Sequence, residues 1–233
     1  MLDVQSLEAW YGQAQVLYGV SLGVGAGECV ALVGRNGAGK STTMKAIMGL
    51  MARRRGRVVF RGADISSAPS YRIGRLGLGW VPEDRRVFTD LTVRENLAVA
   101  RQPKREGAPE WTPEKLYALF PNLGAMPDRP GGRMSGGEQQ MLTVARTLMG
   151  NPYLVLLDEP SEGVAPLIVE EMARMIVALK QEGVSILLSE QNLHFARLVS
   201  DRAVVLEKGE VKFDGAMEAL MRDEMLLRTH LSV

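Results

Sequence analysis

Cysteine is almost absent from this chain: Cys29 is the only one in 233 residues. No intrachain disulfide can form, and its apolar neighbours mark Cys29 as a small buried hydrophobe rather than a reactive thiol. Long apolar runs are missing as well. No stretch reaches the roughly 18 apolar residues that crossing a bilayer requires. The opening Met1-Leu2-Asp3-Val4 carries neither a basic region nor an apolar signal segment. A cytosolic chain is expected, with any membrane role passing through partner subunits. Excess charge is missing too: the formal net charge is +1. That gives no broad field for nucleic acid, and no nucleic-acid partner is expected. What remains is 46% apolar and 24% charged, enough to bury a sizeable core in one large domain.

The most specific stretch is Gly34-Arg35-Asn36-Gly37-Ala38-Gly39-Lys40-Ser41-Thr42. It has the Gly-x-x-x-x-Gly-Lys-Ser spacing of a phosphate-binding loop. The apolar Cys29 to Val33 before it reads as a buried parallel strand, and Met44 to Leu50 after it as a helix. Glycines let successive backbone N–H groups turn inward around a phosphate, and the helix N-terminus adds partial positive charge. Lys40 can reach the β- and γ-phosphates of a nucleotide, and Ser41 can hold Mg²⁺. All of Gly34, Arg35, Asn36, Gly37, Ala38, Gly39, Lys40, Ser41 and Thr42 are candidate nucleotide contacts.

Elsewhere, residues 2 to 33 read as strands, with a turn over Gly23 to Gly27. Arg53-Arg54-Arg55-Gly56 reads as a solvated basic turn. Arg57 to Phe60 and Leu78 to Val81 are expected strands, and Pro82 to Arg86 a polar loop. Leu91 to Arg101 reads as a helix, with Thr92 and Glu95 spaced as a capping box. Gln102 to Pro113 reads as an exposed linker, Leu116 to Phe120 as a short helix, and Pro121 to Arg133 as irregular chain. Glu138 to Met149 and Leu167 to Gln181 are expected helices. Residues about 90–150 are thus expected to form a helical sub-lobe inserted in the core. Val184 to Leu188 is a further expected strand, and Asn192 to Ser200 a helix. Ala203 to Leu206 and Val211 to Phe213 read as a hairpin, followed by a helical, amphipathic tail from Gly215. Strands alternating with helices predict an α/β core with a mostly parallel sheet.

Leu154 to Leu157 is a wholly apolar strand ending in Asp158 and Glu159. Open α/β sheets bind ligands at the C-terminal ends of their strands. Asp158 there can hold a metal ion, and Glu159 can orient or deprotonate an attacking water.

Met134-Ser135-Gly136-Gly137-Glu138-Gln139-Gln140 resembles the Leu-Ser-Gly-Gly-Gln signature of ABC-type ATPases. The order of motifs also fits: phosphate-binding loop, helical lobe, signature, acidic strand, polar switch. The resemblance implies a P-loop NTPase fold with an antiparallel β part at the N-terminus. The whole of 1–233 would be one domain, its core in 1–89 and 151–233. It implies ATP and Mg²⁺ as cofactors and two subunits joined head to tail. Ser135, Gly136, Gly137 and Glu138 of one subunit would then cover the nucleotide held by the other. Tyr11 aligns with the aromatic that stacks on adenine. Glu83 stands where most members carry a glutamine, as a third candidate metal ligand beside Ser41 and Asp158. Gln191 stands in place of the switch histidine, leaving Glu159, Lys40 and Gln191 as candidate catalytic residues. An amide cannot titrate. His194, three residues on, reads as a surface helix residue rather than a substitute. Ala165 stands where many members have an aspartate at the dimer contact.

Val81-Pro82-Glu83, Arg85-Arg86-Val87-Phe88, the Asp158 to Pro166 stretch and Glu190-Gln191-Asn192 together resemble one subfamily. It comprises the ATP-binding subunits of branched-chain (hydrophobic) amino-acid importers and their urea and amide relatives. The resemblance implies a peripheral protein on the cytoplasmic face of the membrane. Its partners would be transmembrane permease subunits, a second identical or related ATPase and, indirectly, a periplasmic or surface solute-binding protein. The competing reading is a soluble ABC-type switch in translation or DNA repair. Those usually carry two cassettes or a long coiled coil, and no sustained heptads occur here. A P-loop small-molecule kinase would need neither the signature nor Glu159.

Overall fold

In the computed structural model, which describes residues 1–231, the early alternating segments form β1 (Leu2–Tyr11) and β2 (Ala14–Val24). The continuous apolar run that follows forms β3 (Cys29–Val33), buried at every position as a central parallel strand must be. Then come α1 (Lys40–Ile47), β4 (Arg53–Phe60), β5 (Ala63–Asp64), α2 (Ser70–Arg75) and β6 (Leu78–Val81). Between β6 and β7 (Leu154–Asp158) the named elements are all helical, chiefly α3 (Val93–Ala100), α4 (Pro113–Leu119), α5 (Pro121–Gly124) and α6 (Gly136–Leu148). The chain continues through α7 (Pro166–Gln181), β8 (Ser185–Glu190), α8 (Leu193–Val199), β9 (Arg202–Glu207), β10 (Glu210–Ala216), α9 (Met217–Arg222) and α10 (Glu224–Leu226).

β2, β1, β4 and β5 make one antiparallel sheet in that order. The second sheet runs β10-β9-β3-β8-β7-β6, parallel except for the β9–β10 hairpin at its edge. Strand alternation divides the core. Leu154 and Leu156 of β7 join a cluster with Met44 and Ile47 of α1 and with Leu7 and Leu17 of the antiparallel sheet. Val155 and Leu157 face the opposite way, towards Leu97, Leu142, Met172 and Ile176 on α3, α6 and α7. α1 is thereby clamped between the sheets, and the loop that precedes it is held with it.

The basic turn expected at Arg53 to Gly56 is instead the first half of β4. Cross-strand pairing wins over local composition. Trp10 lies opposite Arg53, and the Arg53 guanidinium sits 4.6 Å from the Trp10 ring centroid. Arg54 points inward and donates to the carbonyls of Ala46 (2.6 Å), Ser66 (3.1 Å) and Ala68 (3.1 Å), closing the C-terminal turn of α1. Gly56 has φ +102°, and a Cβ there would press on the backbone of residues 5–7, where the β1–β4 register shifts.

The expected linker 102–113 is also anchored. Trp111 is buried, and its backbone N–H donates to Asn151 Oδ1 at 2.8 Å, while the Asn151 amide reaches the carbonyls of Gln102 and Pro103. β2 runs through Gly23 and Val24, so the turn begins later than expected, and Pro121–Gly124 within the irregular stretch forms α5. Gly215 belongs to β10, and the expected helical tail starts at Met217; residues 232 and 233 lie outside the described part. The Thr92–Glu95 capping box forms as spaced.

Candidate functional site

β8 lies between β3 and β7, with Val33 opposite Glu190 and Asp158 opposite Ser189. The C-terminal ends of these three strands therefore carry the phosphate-binding loop, the Asp158-Glu159 pair and Gln191 to one edge of the sheet. The loop turns tightly there. Ala38 N–H donates to Arg35 O at 3.1 Å, and Gly39 caps α1 in the left-handed region at φ +109°. A Cβ on Gly34 would collide with the Leu206 carbonyl, so the β9–β10 hairpin braces the loop from behind. Gly209 N–H bonds the Ala38 carbonyl at 2.9 Å from the same side.

A cleft of about 410 Å³ opens in front of this loop. Asn36, Gly37, Gly39, Lys40, Ser41 and Thr42 line it together with Val16, Glu83, Glu159 and Glu162. Lys40 is 4% exposed. Its ammonium donates to the carbonyls of Gly34 (2.8 Å) and Arg35 (3.2 Å) and pairs with Glu159 Oε1 at 3.1 Å. Ser41 Oγ donates to Asp158 Oδ1 at 3.0 Å, and Ser189 Oγ donates to the same oxygen at 2.6 Å. Gln191 Nε2 donates to Glu159 Oε2 at 2.7 Å. The candidate catalytic trio Lys40, Glu159 and Gln191 is thus one bonded set.

Burial pushes the Asp158 carboxyl above its ordinary range, against the hydrogen bonds from Ser189 and Ser41. Burial acts on Glu159 in the same direction, but hydrogen bonds from Glu162 and Gln191 and the Lys40 ammonium outweigh it and hold Glu159 low. Glu162 carries the consequence. Its hydrogen bond to Glu159, with burial and the charges of Glu159, Glu83 and Glu190, pushes it up to about 7. Glu190 is buried and raised by burial; it accepts from Ser161 N and Oγ, both at 3.0 Å. Among the described residues no cluster of three or more His, Cys, Asp or Glu side chains has the shape of a metal site.

Two groups stand apart from the cleft. Tyr11 ends β1, half exposed, and does not line it; Val16 on β2 does. Ser135, Gly136, Gly137 and Glu138 open α6 outside it. Glu138 accepts from Ser135 N–H at 2.7 Å, and Ser135 Oγ accepts from Glu138 N–H at 3.4 Å, a capping box that leaves the serine O–H free to donate. His194 is exposed on α8, and Cys29 is buried with its thiol pushed up to about 12 by desolvation. Sequence reasoning missed Ser189, Glu162 and Arg85. Only strand register brings Ser189 to Asp158, and Arg85 acts across 77 positions of chain.

Residues 17–162 match the family model described as "ABC transporter". The chain is 40% identical to the high-affinity branched-chain amino acid transport ATP-binding protein BraG of Pseudomonas aeruginosa over 99% of both chains. It is 34% identical to the lipopolysaccharide export system ATP-binding protein LptB of Haemophilus influenzae, over 99% of this chain and 97% of that one. Among solved structures, an ATP-binding subunit of an ABC transporter superposes with a TM-score of 0.82 and 31% identity, covering all of this chain and 96% of that one. With a glycine-rich loop between strand and helix, an acidic strand end and a separate Ser-Gly-Gly helix start in one chain, the conclusion follows that this protein belongs to the ABC transporter family, as one of its ATP-hydrolysing transport subunits.

Proposed function

We propose that this chain powers a membrane importer for branched-chain or other hydrophobic amino acids. The observation that carries the reading is the 40% identity to the branched-chain transport subunit along the whole chain, against 34% to the lipopolysaccharide-export subunit. Among the described residues no helix is long and apolar enough to cross a membrane. Transmembrane permease subunits would therefore supply the path, with the chain on their cytoplasmic face and a solute-binding protein acting through them. The relatives are transport subunits, which leaves the soluble-switch reading without support.

The site's own chemistry supports the residue roles. Loop N–H groups and the α1 N-terminus receive the phosphates of ATP. Lys40 exchanges Glu159 for phosphate oxygen, which releases the Glu159 carboxylate to hold and activate water. Gln191 keeps that carboxylate oriented through the 2.7 Å bond but cannot accept its proton. The Ser41 hydroxyl and the Asp158 carboxylate are hard oxygen donors already facing each other, and they fit Mg²⁺. Bound there, the ion would neutralise phosphate charge; Glu83, which lines the same cleft, would complete its oxygen set. Ser135, Gly136 and Gly137 lie away from the chain's own cleft, which supports their use on a second subunit's nucleotide. Tyr11, at the exposed end of β1, would stack on the adenine.

The test is affinity capture of the Glu159→Gln variant from its host's solubilised membranes with ATP and Mg²⁺, followed by uptake assays in cells lacking the chain. Permease subunits in the capture and lost uptake of leucine, isoleucine or valine support the reading. Capture of a lipid-exporting assembly with unchanged amino-acid uptake would replace it by the export reading that the LptB likeness favours.

A further inference from the structure

Arg85 and Glu159 both sit on backbone in the left-handed region, each at φ +45°, a conformation shared among the described residues by the charged Arg61 and Lys208. That conformation strains any residue with a Cβ, and it persists only where the surroundings hold it. A single guanidinium connects the two. Arg85 Nη2 donates to Glu162 O at 3.2 Å and to Gly163 O at 3.1 Å. Those carbonyls belong to the turn that starts at Glu159 and is closed by Glu162 N–H on Glu159 O at 3.2 Å.

The same guanidinium rests on the first turn of α6. A Cβ on Gly136 would overlap Arg85 Nη1, so glycine there leaves the space the arginine occupies. A cation at a helix N-terminus opposes the helix dipole. Its seat is kept by the two carbonyl bonds rather than by α6. The neighbouring Arg86 behaves differently: it closes on Asp84 at 2.8 Å within its own loop.

We propose that Arg85 is a positioning residue for ATP hydrolysis, tying together the loop that carries Glu83, the Ser135–Gly137 start of α6 and the turn that aims Glu159. The planar fork suits the task, because its Nη2 reaches two adjacent carbonyls while its Nη1 fills the space beside Gly136. A displacement at Glu83 on the cleft wall is then passed two residues along the loop to both the catalytic turn and the signature. The inference rests on Glu159 being the water-orienting carboxylate.

The experiment is steady-state ATP hydrolysis by the full chain carrying Arg85→Ala or Arg85→Lys, with ATP affinity measured separately. Because the hydrogen bonds of the Arg85 side chain go to Glu162 and Gly163 and not to the phosphate loop, KM and ATP affinity should stay within about twofold of wild type. The kcat of Arg85→Ala should fall by about tenfold to a hundredfold, the scale of a misplaced reacting group. Arg85→Lys, which keeps the charge and a donor, should recover part of that loss. A kcat unchanged in Arg85→Ala overturns the proposal. So does a loss of kcat matched by an equal loss of ATP affinity, since that is general damage. Glu159→Gln separates the two readings: normal hydrolysis in that variant removes the role of Glu159 itself, whereas slow hydrolysis there with normal Arg85→Ala overturns the role of Arg85 alone.

Discussion

At the scale of residues, the cleft sets three carboxyl groups against one lysine. Glu159, Glu162 and Glu83 line the cleft together with Lys40, and Lys40 pairs with Glu159. Lys40→Ala leaves those acids uncompensated and removes the loop's mobile cation. Hydrolysis should fall by about a hundredfold or more, the usual loss for one preorganised charge; a steady-state rate near wild type would end the phosphate-loop assignment. Glu162 sets a pH dependence. Its carboxyl is raised from 4.5 to about 7 in the folded chain, so between those values the folded state holds a proton that the unfolded state has lost. Stability should therefore fall as pH rises from about 4.5 to about 7 and level off above. Glu162→Gln should flatten this slope in thermal melts at stepped pH; an unaltered slope rejects the carboxyl-pair explanation. The same pair bears on the rate. Gln191 cannot titrate, and His194 is exposed on α8, so an inflection near pH 7 should vanish in Glu162→Gln and survive in His194→Ala.

At the scale of elements, local signals and long-range ones part company. The helix α3 declares its start in four residues: Thr92 accepts from Glu95 N–H at 3.2 Å, and Glu95 Oε2 accepts from Thr92 N–H at 2.8 Å. Both partners lie within one turn, so the spacing alone reveals them. The strand β4 declares nothing of the kind, because what makes Arg53-Arg54-Arg55 a strand is Trp10 across the sheet and the end of α1 beneath it. Arg54→Ala removes three bonds to main-chain carbonyls from a partly buried cation. A loss of about 2–3 kcal/mol is expected in chemical denaturation, from hydrogen bonds to a charged group. A change under about 0.5 kcal/mol, the range of ordinary surface substitutions, would mean that β4 and α1 hold together without it.

At the scale of the whole molecule, the chain carries two glycine-led helix starts, and only one of them lines the cleft that holds Lys40 and Glu159. The loop before α1 forms the cleft, and the Ser135–Gly137 start of α6 lies outside it. A second copy or a related subunit, turned head to tail, would bring the missing half to each nucleotide. Glu159→Gln, which keeps the shape of the carboxylate but not its basicity, should sediment as a dimer with ATP and Mg²⁺ and as a monomer without them. Lys40→Ala should stay monomeric in both. A Glu159→Gln chain that binds ATP and remains monomeric, alone and with its related subunit, would leave the signature without its proposed use.

The α/β class, the phosphate-binding loop, the acidic strand end and the signature were all legible in the chain, because each is a contiguous run whose chemistry is carried by its own spacing. Gly34 to Thr42 needs only its neighbours to become a cradle. The Arg53 triplet, the Ser189 bond to Asp158, the Glu159–Glu162 pair and the Arg85 bridge were not legible. Each joins groups far apart in sequence or turned together by one left-handed residue, and their energies depend on burial and distance. Strand order does the deciding: placing β8 between β3 and β7 brings Lys40, Asp158, Glu159 and Gln191 within bonding reach, while the same topology holds Ser135 away from them.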